Sequence, residues 1–412
     1  MAQGPESARK TAWAGVAFGV SLSCFAAYQQ FKLPPVLPDL LREFPHDRAV
    51  AAGFMSIYAL IGLAVSQPLG RWLQGAERRG GLAAGSHLGL GLVLAGALSA
   101  LGCVIGLIWP QSAALFLSAR GLEGLAFAIC AIAGPAIAAQ AAAPRDLPLI
   151  TGLLAGWIPI GQIGGALAAW IVPDWRFLWL IGLALGLALA LFGRRGARAA
   201  QRRSLPPESL SRRQTRLLWL GGSIFLLWSG QYFAFMTWLT SYLDLHGLSL
   251  RESIGAYLLP VVVLLIFNVV TGWALGRGLP LLHTLIFALA SQALVWIAAP
   301  FADGWPGIAL LALYGIGAGI APTCLFQVPH RIVGGAARAG AFGIVMAARN
   351  IGVFGGPLLL GLLIGGPDDW ARGFWIFAGV TFGSMILAIL LRALIGPPAE
   401  AGSGGTGSGG PR

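Results

Sequence analysis

Charge is scarce in this sequence. Charged residues make up 10% of the 412-residue chain, whereas hydrophobic residues make up 57%. A soluble domain carries about 25% charged residues, because its surface must be wetted. The composition therefore excludes soluble globular, disordered, collagen-like and disulfide-scaffold proteins, and it leaves a polytopic membrane protein.

Cysteine is also rare, and the patterns typical of metal sites and nucleotide hydrolysis are missing. The four cysteines lie in apolar stretches without CxxC spacing, which is typical of small buried packing residues. The five histidines lack ligand spacing, no Ser/His/Asp set stands out, and there is no P-loop sequence. We therefore predict no enzymatic activity, no metal and no cofactor.

Long apolar stretches dominate the chain instead. A helix needs about 20 apolar residues to cross the hydrocarbon core of a bilayer, which is roughly 30 Å thick. Charge clusters and Pro/Gly turns divide the sequence into twelve such stretches, so we predict an all-α polytopic fold with twelve transmembrane helices. Their expected bounds are Ala12–Phe31, Val50–Gly70, Leu82–Ile108, Gln111–Ala142, Leu147–Val172, Phe177–Phe192, Leu217–Leu243, Ile254–Gly276, Leu281–Ala299, Gly307–Val328, Ala339–Ile364 and Phe374–Ile395. The count depends on a break at Trp109-Pro110, where helices 3 and 4 nearly touch.

The basic residues indicate the orientation. With the N-terminus in the cytoplasm, 19 of the 27 Lys and Arg residues fall in inside segments and six, including Lys32, in outside segments. Cytoplasmic loops of membrane proteins carry such an excess. We expect both termini in the cytoplasm, in a multi-pass protein of the inner (cytoplasmic) membrane. The first apolar stretch is too long for a signal peptide and is expected to be retained.

The largest polar break separates six predicted helices from six. It holds eight arginines, and we interpret it as a basic cytoplasmic linker at 194–216 between bundles at 1–193 and 217–396. A Gly/Ser-rich tail at 397–412 is expected to be disordered. The linker is expected to lie against anionic lipid headgroups, with a specific lipid or partner site as the alternative and no nucleic acid as partner. We expect a monomer.

The two halves repeat three motifs in the same order. The matched positions are Gly70-Arg71 and Gly276-Arg277 at the ends of helices 2 and 8, Gly161/Gly165 and Gly352/Gly356 in helices 5 and 11, and Pro173-Asp174 and Pro367-Asp368 before helices 6 and 12. The glycine pairs suit close packing of helices. Such order indicates duplication of a six-helix unit, with binding between the repeats as in transporters.

Further motifs carry a resemblance to a known family. They are Pro35-Val36-Leu37-Pro38-Asp39-Leu40 after helix 1, Gly70-Arg71 followed by Glu77-Arg78-Arg79-Gly80, and Arg120-Gly121-Leu122-Glu123-Gly124 in helix 4. On these motifs the chain resembles the major facilitator superfamily over nearly its whole length, although the aspartate usual in the second motif is missing. The resemblance implies two pseudo-symmetric six-helix bundles, alternating access, and gating at Gly70, Arg71, Gly276 and Arg277.

One stretch after helix 7 is similar to a narrower branch of that family. Trp238-Leu239, Tyr242-Leu243 and Gly247-Leu248-Ser249 resemble the cyanate and nitrite transporter-like branch. In helix 5, Gly156 through Gly165 is a degenerate version of the motif that marks antiporters, which counts modestly against efflux.

Three charged residues lie in the interior of the predicted spans, away from their ends: Arg120, Glu123 and Arg349. An unpaired charge in a membrane costs at least about 2.5–3.5 kcal/mol, so these are the best site candidates. Arg120 and Glu123 are spaced i,i+3 and can neutralise each other, which would make Arg120 a structural brace. Arg349 has no acidic sequence neighbour, and we predict that it contacts the solute. The positive surplus favours an anionic solute, and Glu123 is expected to carry a coupling proton.

Polar and aromatic residues in other spans complete the candidate solute site. Each alone is more often a helix–helix contact or an interface anchor than a ligand. The set is Gln231, Tyr232, Trp238, Asn268, Asn350 and Tyr58, and helix 1 also offers Tyr28 and Lys32.

The leading hypothesis is a secondary active transporter, coupled to protons as a symporter, that moves a small anionic solute by alternating access. Two alternatives stay open. One is a multidrug or metabolite efflux transporter, and the other is a membrane sensor or assembly factor that kept the fold but does not transport.

Overall fold

A computed structural model describes residues 10–75, 84–143, 146, 149–150, 153–154, 156–197, 210–302, 304–333, 338–364 and 369–395. For residues 66–67, 70–71, 73–75, 84–86, 197 and 338–340 it describes the backbone alone. Within these ranges the regular secondary structure is helical, and no strand occurs. The bounds of the main helices are α1 Trp13–Phe31, α2 Arg48–Gly75, α3 Ala84–Ile108, α4 Ala113–Ala141, α5 Trp157–Ile171, α6 Trp175–Ala197, α7 Arg212–Leu245, α8 Leu250–Gly276, α9 Leu281–Ala298, α10 Trp305–Ile332, α11 Arg338–Leu363 and α12 Asp369–Ile395.

Nine of the helices in the described ranges are long and apolar enough to cross a membrane. Among the others, α5 is apolar but shorter. Helices α1 and α7 carry glutamines that lower their apolar character, and Gln29, Gln30 and Gln231 are buried inside the protein. Buried polar side chains of this kind face the bundle interior rather than lipid. The chain is therefore a multi-pass membrane protein.

Several helix boundaries differ from the sequence-based bounds. Helices α3 and α4 are separate, because α3 ends at Ile108 and the Ser112 hydroxyl caps α4 by accepting from the Leu115 N–H. Helix α6 continues to Ala197, and α7 begins at Arg212 after a capping box formed by Ser211 and Gln214.

The expected linker at 194–216 is therefore corrected at both ends. Arg194 and Arg195 lie in the last turn of α6, where cations are favourable at the negative end of the helix dipole. Arg212, Arg213 and Arg216 lie in α7, so both ends of the expected linker are helical. Residues 198–209 and the tail 397–412 lie outside the described residues.

Helix packing repeats between the first six helices and the last six. In the first set, α1 packs against α4 and α5, α2 against α4, and α3 against α4 and α6. In the second set, α7 packs against α10 and α11, α8 against α10, and α9 against α10 and α12. Each pair in one set has its counterpart six helices later. The contacts of α2 with α11 and of α5 with α8 join the two sets. These two pairs are also counterparts of each other, since α8 corresponds to α2 and α5 to α11.

The glycine pairs lie at equivalent close approaches in the two sets. A Cβ on Gly161 would come within 2.6 Å of the Tyr28 nitrogen, and one on Gly352 within 2.9 Å of the Gly230 nitrogen. Real side chains essentially never reach a backbone atom so closely, so both pairs let two helices touch. The helices held together are α1 with α5 and α7 with α11.

The α1–α2 and α7–α8 connections meet at one end of the protein. The Thr240 hydroxyl donates to the Pro34 carbonyl oxygen (2.5 Å), and Arg42 in the short helix Leu37–Glu43 pairs with Asp244 (2.9 Å). Arg48 at the start of α2 donates to the Ile364 carbonyl after α11. These contacts close this end between the first and second sets of helices.

Candidate functional site

Arg120 and Glu123 form a fully buried ion pair, as their i,i+3 spacing predicts. The Arg120 Nη1 lies 2.5 Å from one Glu123 carboxylate oxygen, and both side chains have no exposed surface. The Tyr58 hydroxyl donates to that same oxygen at 2.7 Å. The Lys32 ammonium lies 2.9 Å from the other oxygen and is equally buried. We call Lys32, Tyr58, Arg120 and Glu123 the charged cluster.

Other contacts occupy the remaining donors of Arg120. Its Nε donates to the Phe54 carbonyl oxygen (3.1 Å), and its two terminal nitrogens donate to the carbonyls of Gln29 and Gln30 (both 3.0 Å). The guanidinium also lies 4.3 Å from the centre of the Tyr58 ring. A buried charge with every donor satisfied is held in place by α1, α2 and α4, so Arg120 braces these helices.

Lys32 corrects the expectation that it lies in an outside segment. It follows α1 directly, and its ammonium donates to Gln29 (2.7 Å) and to the Cys103 sulfur (3.2 Å) while lying 4.4 Å from the Trp179 ring. The chain turns through a 3-10 segment, Pro34–Val36, so Lys32 points back into the bundle instead of into water. The buried charges of the described chain are therefore three positive and one negative, and the outside count of basic residues falls to five. The sequence signal for this inward position of Lys32 was its i,i+3 spacing from Gln29, a polar residue in an apolar helix.

A second site lies around Arg349, where the two sets of helices meet. A cavity of about 30 Å³ is bounded by α5 on one side and by α7, α8, α10 and α11 on the other. Its lining includes Pro159, Tyr232, Asn268, Phe326 and Arg349. The sequence-based site residues Arg349, Tyr232 and Asn268 therefore lie together.

Arg349 is 5% exposed and has no carboxylate within ion-pair distance among the described residues. One terminal nitrogen donates to the Asn350 side-chain oxygen (3.1 Å). The guanidinium carbon lies 5.2 Å from the Phe233 ring centre and 5.8 Å from that of Phe225. Its backbone is fixed, because the Ser229 hydroxyl donates to the Arg349 carbonyl at 2.9 Å. Arg349 thus keeps donors available toward the cavity, whereas Arg120 does not.

A chain of hydrogen bonds joins the two sets of helices beside this cavity. The Tyr232 hydroxyl donates to the Gln162 side-chain oxygen (2.9 Å), and the Gln162 amide donates to the Tyr257 hydroxyl (3.2 Å). Sequence reasoning did not select Gln162 or Tyr257. The available signal was that Gln162 is the single hydrophilic side chain in the apolar helix α5. On the other wall, the Asn268 side-chain oxygen shares the Thr323 hydroxyl hydrogen (2.7 Å) with the Gly319 carbonyl oxygen (2.9 Å), and the Asn268 nitrogen has no hydrogen-bond partner among the described residues.

The other solute-site candidates lie elsewhere. Tyr58 belongs to the charged cluster, and Asn350 holds Arg349. Gln231 is directed at the Tyr314 hydroxyl (3.5 Å) inside the second set of helices, and Trp238 donates to the Pro357 carbonyl (3.1 Å). Neither lines the Arg349 cavity.

The residues expected to form a gate are only partly described. For Gly70 and Arg71 only the backbone is described, and the whole motif Glu77-Arg78-Arg79-Gly80 lies outside the described residues. Gly276 ends α8, and Arg277 follows it and stacks on the Trp273 ring at 3.6 Å. Within the described ranges, no group of three His, Cys, Asp or Glu residues could hold a metal ion.

The family assignment follows from comparison with known proteins. The family model of the Major Facilitator Superfamily matches residues 16–339. The chain belongs to the Major Facilitator Superfamily. This membership confirms the resemblance seen in the sequence motifs and identifies a membrane transport protein. A search of curated proteins found no match. The cyanate and nitrite transporter-like branch stays a prediction.

Proposed function

We propose that this protein is a secondary active transporter that moves a small anionic solute across the inner membrane by alternating access. The carrying observation is Arg349, a buried cation beside a cavity between the two sets of helices, with no carboxylate partner in the described chain. Burying an unpaired charge in a membrane protein is costly, so a charge that stays unpaired indicates a functional site. An anionic solute would supply the missing partner.

The fold proposed for this function is twelve transmembrane helices in two six-helix bundles, with both termini in the cytoplasm. The repeated helix contacts support the two bundles, and the excess of basic residues in inside segments supports the orientation. Binding between parallel repeats is the arrangement of such transporters.

Alternating access is supported by the contacts that join the two sets of helices at one end. Arg42 with Asp244 and Thr240 with Pro34 join the two sets at the α1–α2 end, which is the outer end in the proposed orientation. The Arg349 cavity, at about 30 Å³, is far smaller than the roughly 300–1,000 Å³ of a typical small-molecule site. A solute therefore enters only after the two bundles separate, which is the motion that alternating access requires.

Exchange in proteoliposomes tests the proposal. Vesicles loaded with unlabelled nitrate, formate, acetate or benzoate are diluted into the labelled anion, and uptake is compared with protein-free vesicles. We expect exchange of at least one of these anions by the wild type, none by Arg349→Ala, and wild-type exchange by Arg392→Gln, which removes an exposed arginine on α12. Exchange that survives Arg349→Ala would refute the site, and binding without exchange would favour the sensor alternative.

We further propose that Glu123 carries the coupling proton in a symport mechanism. It is the one buried carboxylate in the described ranges, and it lies between two cations. Protonating it in this arrangement would leave two buried positive charges without an anion, so uptake of the proton would require the charged cluster to rearrange. Such a rearrangement links protonation to the packing of α1 against α4.

Separate measurements of accumulation and exchange test this coupling. Glu123→Gln should abolish accumulation driven by a pH gradient while leaving exchange of the same anion. Accumulation equal to that of the wild type would exclude Glu123 from coupling and leave it as a structural partner of Arg120.

A further inference from the structure

The Arg349 cavity is lined mainly by apolar side chains. Its aromatic and aliphatic lining includes Ile158, Phe225, Phe233, Leu264 and Phe326. Pro159 and Pro322 extend this apolar surface. Most of a molecule in this cavity would therefore contact carbon atoms, not hydrogen-bonding groups.

The polar groups of the cavity are few, and partners already occupy two of them. The Tyr232 hydroxyl donates to Gln162, and the Trp228 indole N–H donates to the Gln292 side-chain oxygen (3.1 Å). Donors left for a ligand are the remaining N–H groups of Arg349 and the Asn268 amide group.

This donor set matches one carboxylate. The planar guanidinium presents parallel N–H groups that fit the two oxygens of a carboxylate, and one amide can add a further bond. Sulfate or phosphate carries more oxygens and more charge than these donors can satisfy. A small inorganic monoanion such as nitrate would lose its hydration and would gain no contact from the surrounding apolar surface.

Aromatic rings lie close to the cation. Phe233 and Phe225 lie 5.2 Å and 5.8 Å from the Arg349 guanidinium carbon, and Phe326 meets Phe225 edge-on at 5.2 Å. An apolar group attached to a carboxylate bound at Arg349 would therefore be surrounded by aromatic faces. Its burial would offset the cost of removing the carboxylate from water.

We propose that the solute is a monocarboxylate with an apolar body, whose carboxylate binds Arg349 and Asn268 and whose body packs against Phe225, Phe233 and Phe326. This assignment rests on the proposed anion transport and specifies its substrate class. The body exceeds the present cavity of about 30 Å³, so it is accommodated when Ile158 and Pro159 of the first bundle move away from the second.

Calorimetric titration of the purified full-length protein tests the class. The probes are benzoate, which has both charge and apolar body, formate and nitrate, which lack the body, and benzamide, which lacks the charge. Benzoate should bind at least about tenfold more tightly than formate or nitrate because its ring is buried. It should also bind at least about 30-fold more tightly than benzamide, because only the carboxylate pairs with the buried cation.

Variants assign the binding to this cavity. Arg349→Gln should remove the preference for benzoate over benzamide, and Arg392→Gln should behave as the wild type. Phe326→Ala, at a half-buried position, should weaken benzoate binding about tenfold and leave formate binding unchanged. A melting curve on each preparation confirms that the variant is folded.

The outcomes separate this inference from the proposed function. Arg349-dependent binding of nitrate or formate as tight as that of benzoate would overturn the monocarboxylate class but keep anion transport. Benzamide binding as tight as benzoate binding would overturn the class and the role of charge. Exchange of an anion in vesicles without any benzoate binding would likewise reject the class alone, whereas neither exchange nor binding would reject both.

Discussion

Two arginines illustrate how side-chain environment determines the role of a charge. Arg120 is neutralised by Glu123, donates to three backbone carbonyls and lies over the Tyr58 ring. Arg349 contacts one amide oxygen and two ring faces. The first arginine stabilises the packing of helices, and the second is available to a ligand.

At Arg349 we expect affinity and stability to separate. Arg349→Lys should keep the fold but weaken anion binding, because a point charge cannot reproduce the fork of donors. Arg349→Ala should nearly eliminate binding. Calorimetry and a melting curve on one preparation measure both quantities. Lower stability in Arg349→Lys with unaltered affinity would mean that the arginine only holds the helices together.

The charged cluster should respond unequally to loss of its members. Glu123→Gln leaves two buried cations unpaired and should lower the free energy of unfolding by about 3–5 kcal/mol. Lys32→Met leaves the neutral Arg120–Glu123 pair and removes the surplus charge, so it should cost clearly less. Denaturation of both variants in the same detergent checks the order. A larger loss for Lys32→Met would show that the lysine hydrogen bonds outweigh the surplus charge.

At the scale of elements, the close contact of α7 with α11 depends on glycine residues, which have no side chain. Gly352 has no room for a Cβ against Gly230, whereas a Cβ on Gly355, three residues along the same helix, would meet nothing within 4 Å. The same helix therefore carries a glycine that packing requires and one that it does not.

This contrast gives a matched pair of variants. Gly352→Ala should lower stability by about 1–3 kcal/mol, because overpacking forces the helices apart. Gly355→Ala should be neutral or stabilising by about 0.5–1 kcal/mol, since alanine is the better helix former. Melting temperatures of the two variants decide the question. Equal behaviour would argue against close approach of α7 and α11.

At the scale of the whole molecule, the α1–α2 and α7–α8 connections contact each other at one end, and the ends of α6 and α7 at the other carry a cluster of arginines. Arg42–Asp244 lies at the first end, and hydrogen bonds from Arg176 and from Trp175 lower the pKa of the nearby Glu43 below its usual value. Arg194, Arg195 and Arg213 lie at the other. Charge is therefore distributed asymmetrically along the axis that crosses the membrane.

The distribution predicts the topology. Reporter fusions inserted after Ser204 and after Ile395 should both read cytoplasmic, because the segments around them carry the basic excess. A fusion after His46, in the α1–α2 connection, should read external and serves as the control. An external signal at either of the first two positions would contradict the proposed two-bundle arrangement.

Local composition and residue spacing were sufficient to predict several properties of this chain. Scarce charge and long apolar stretches predicted a membrane protein, the motifs predicted the family that the family model confirms, and the i,i+3 spacing predicted the Arg120–Glu123 pair. The glycine pairs likewise indicated where helices approach closely. Each of these predictions uses residues that are close together in the sequence, within one helix or in the segment next to it.

Which side chains meet depends instead on how the helices pack in three dimensions. This packing buried Lys32 against Glu123 from another helix, brought Gln162 to Tyr232 across the two sets, and turned Gln231 and Trp238 away from the cavity. The physical reason is that these helices are apolar on nearly every face, so their sequences barely indicate rotation about the helix axis. Packing between helices sets that rotation, and with it the difference between a structural cation and a free one.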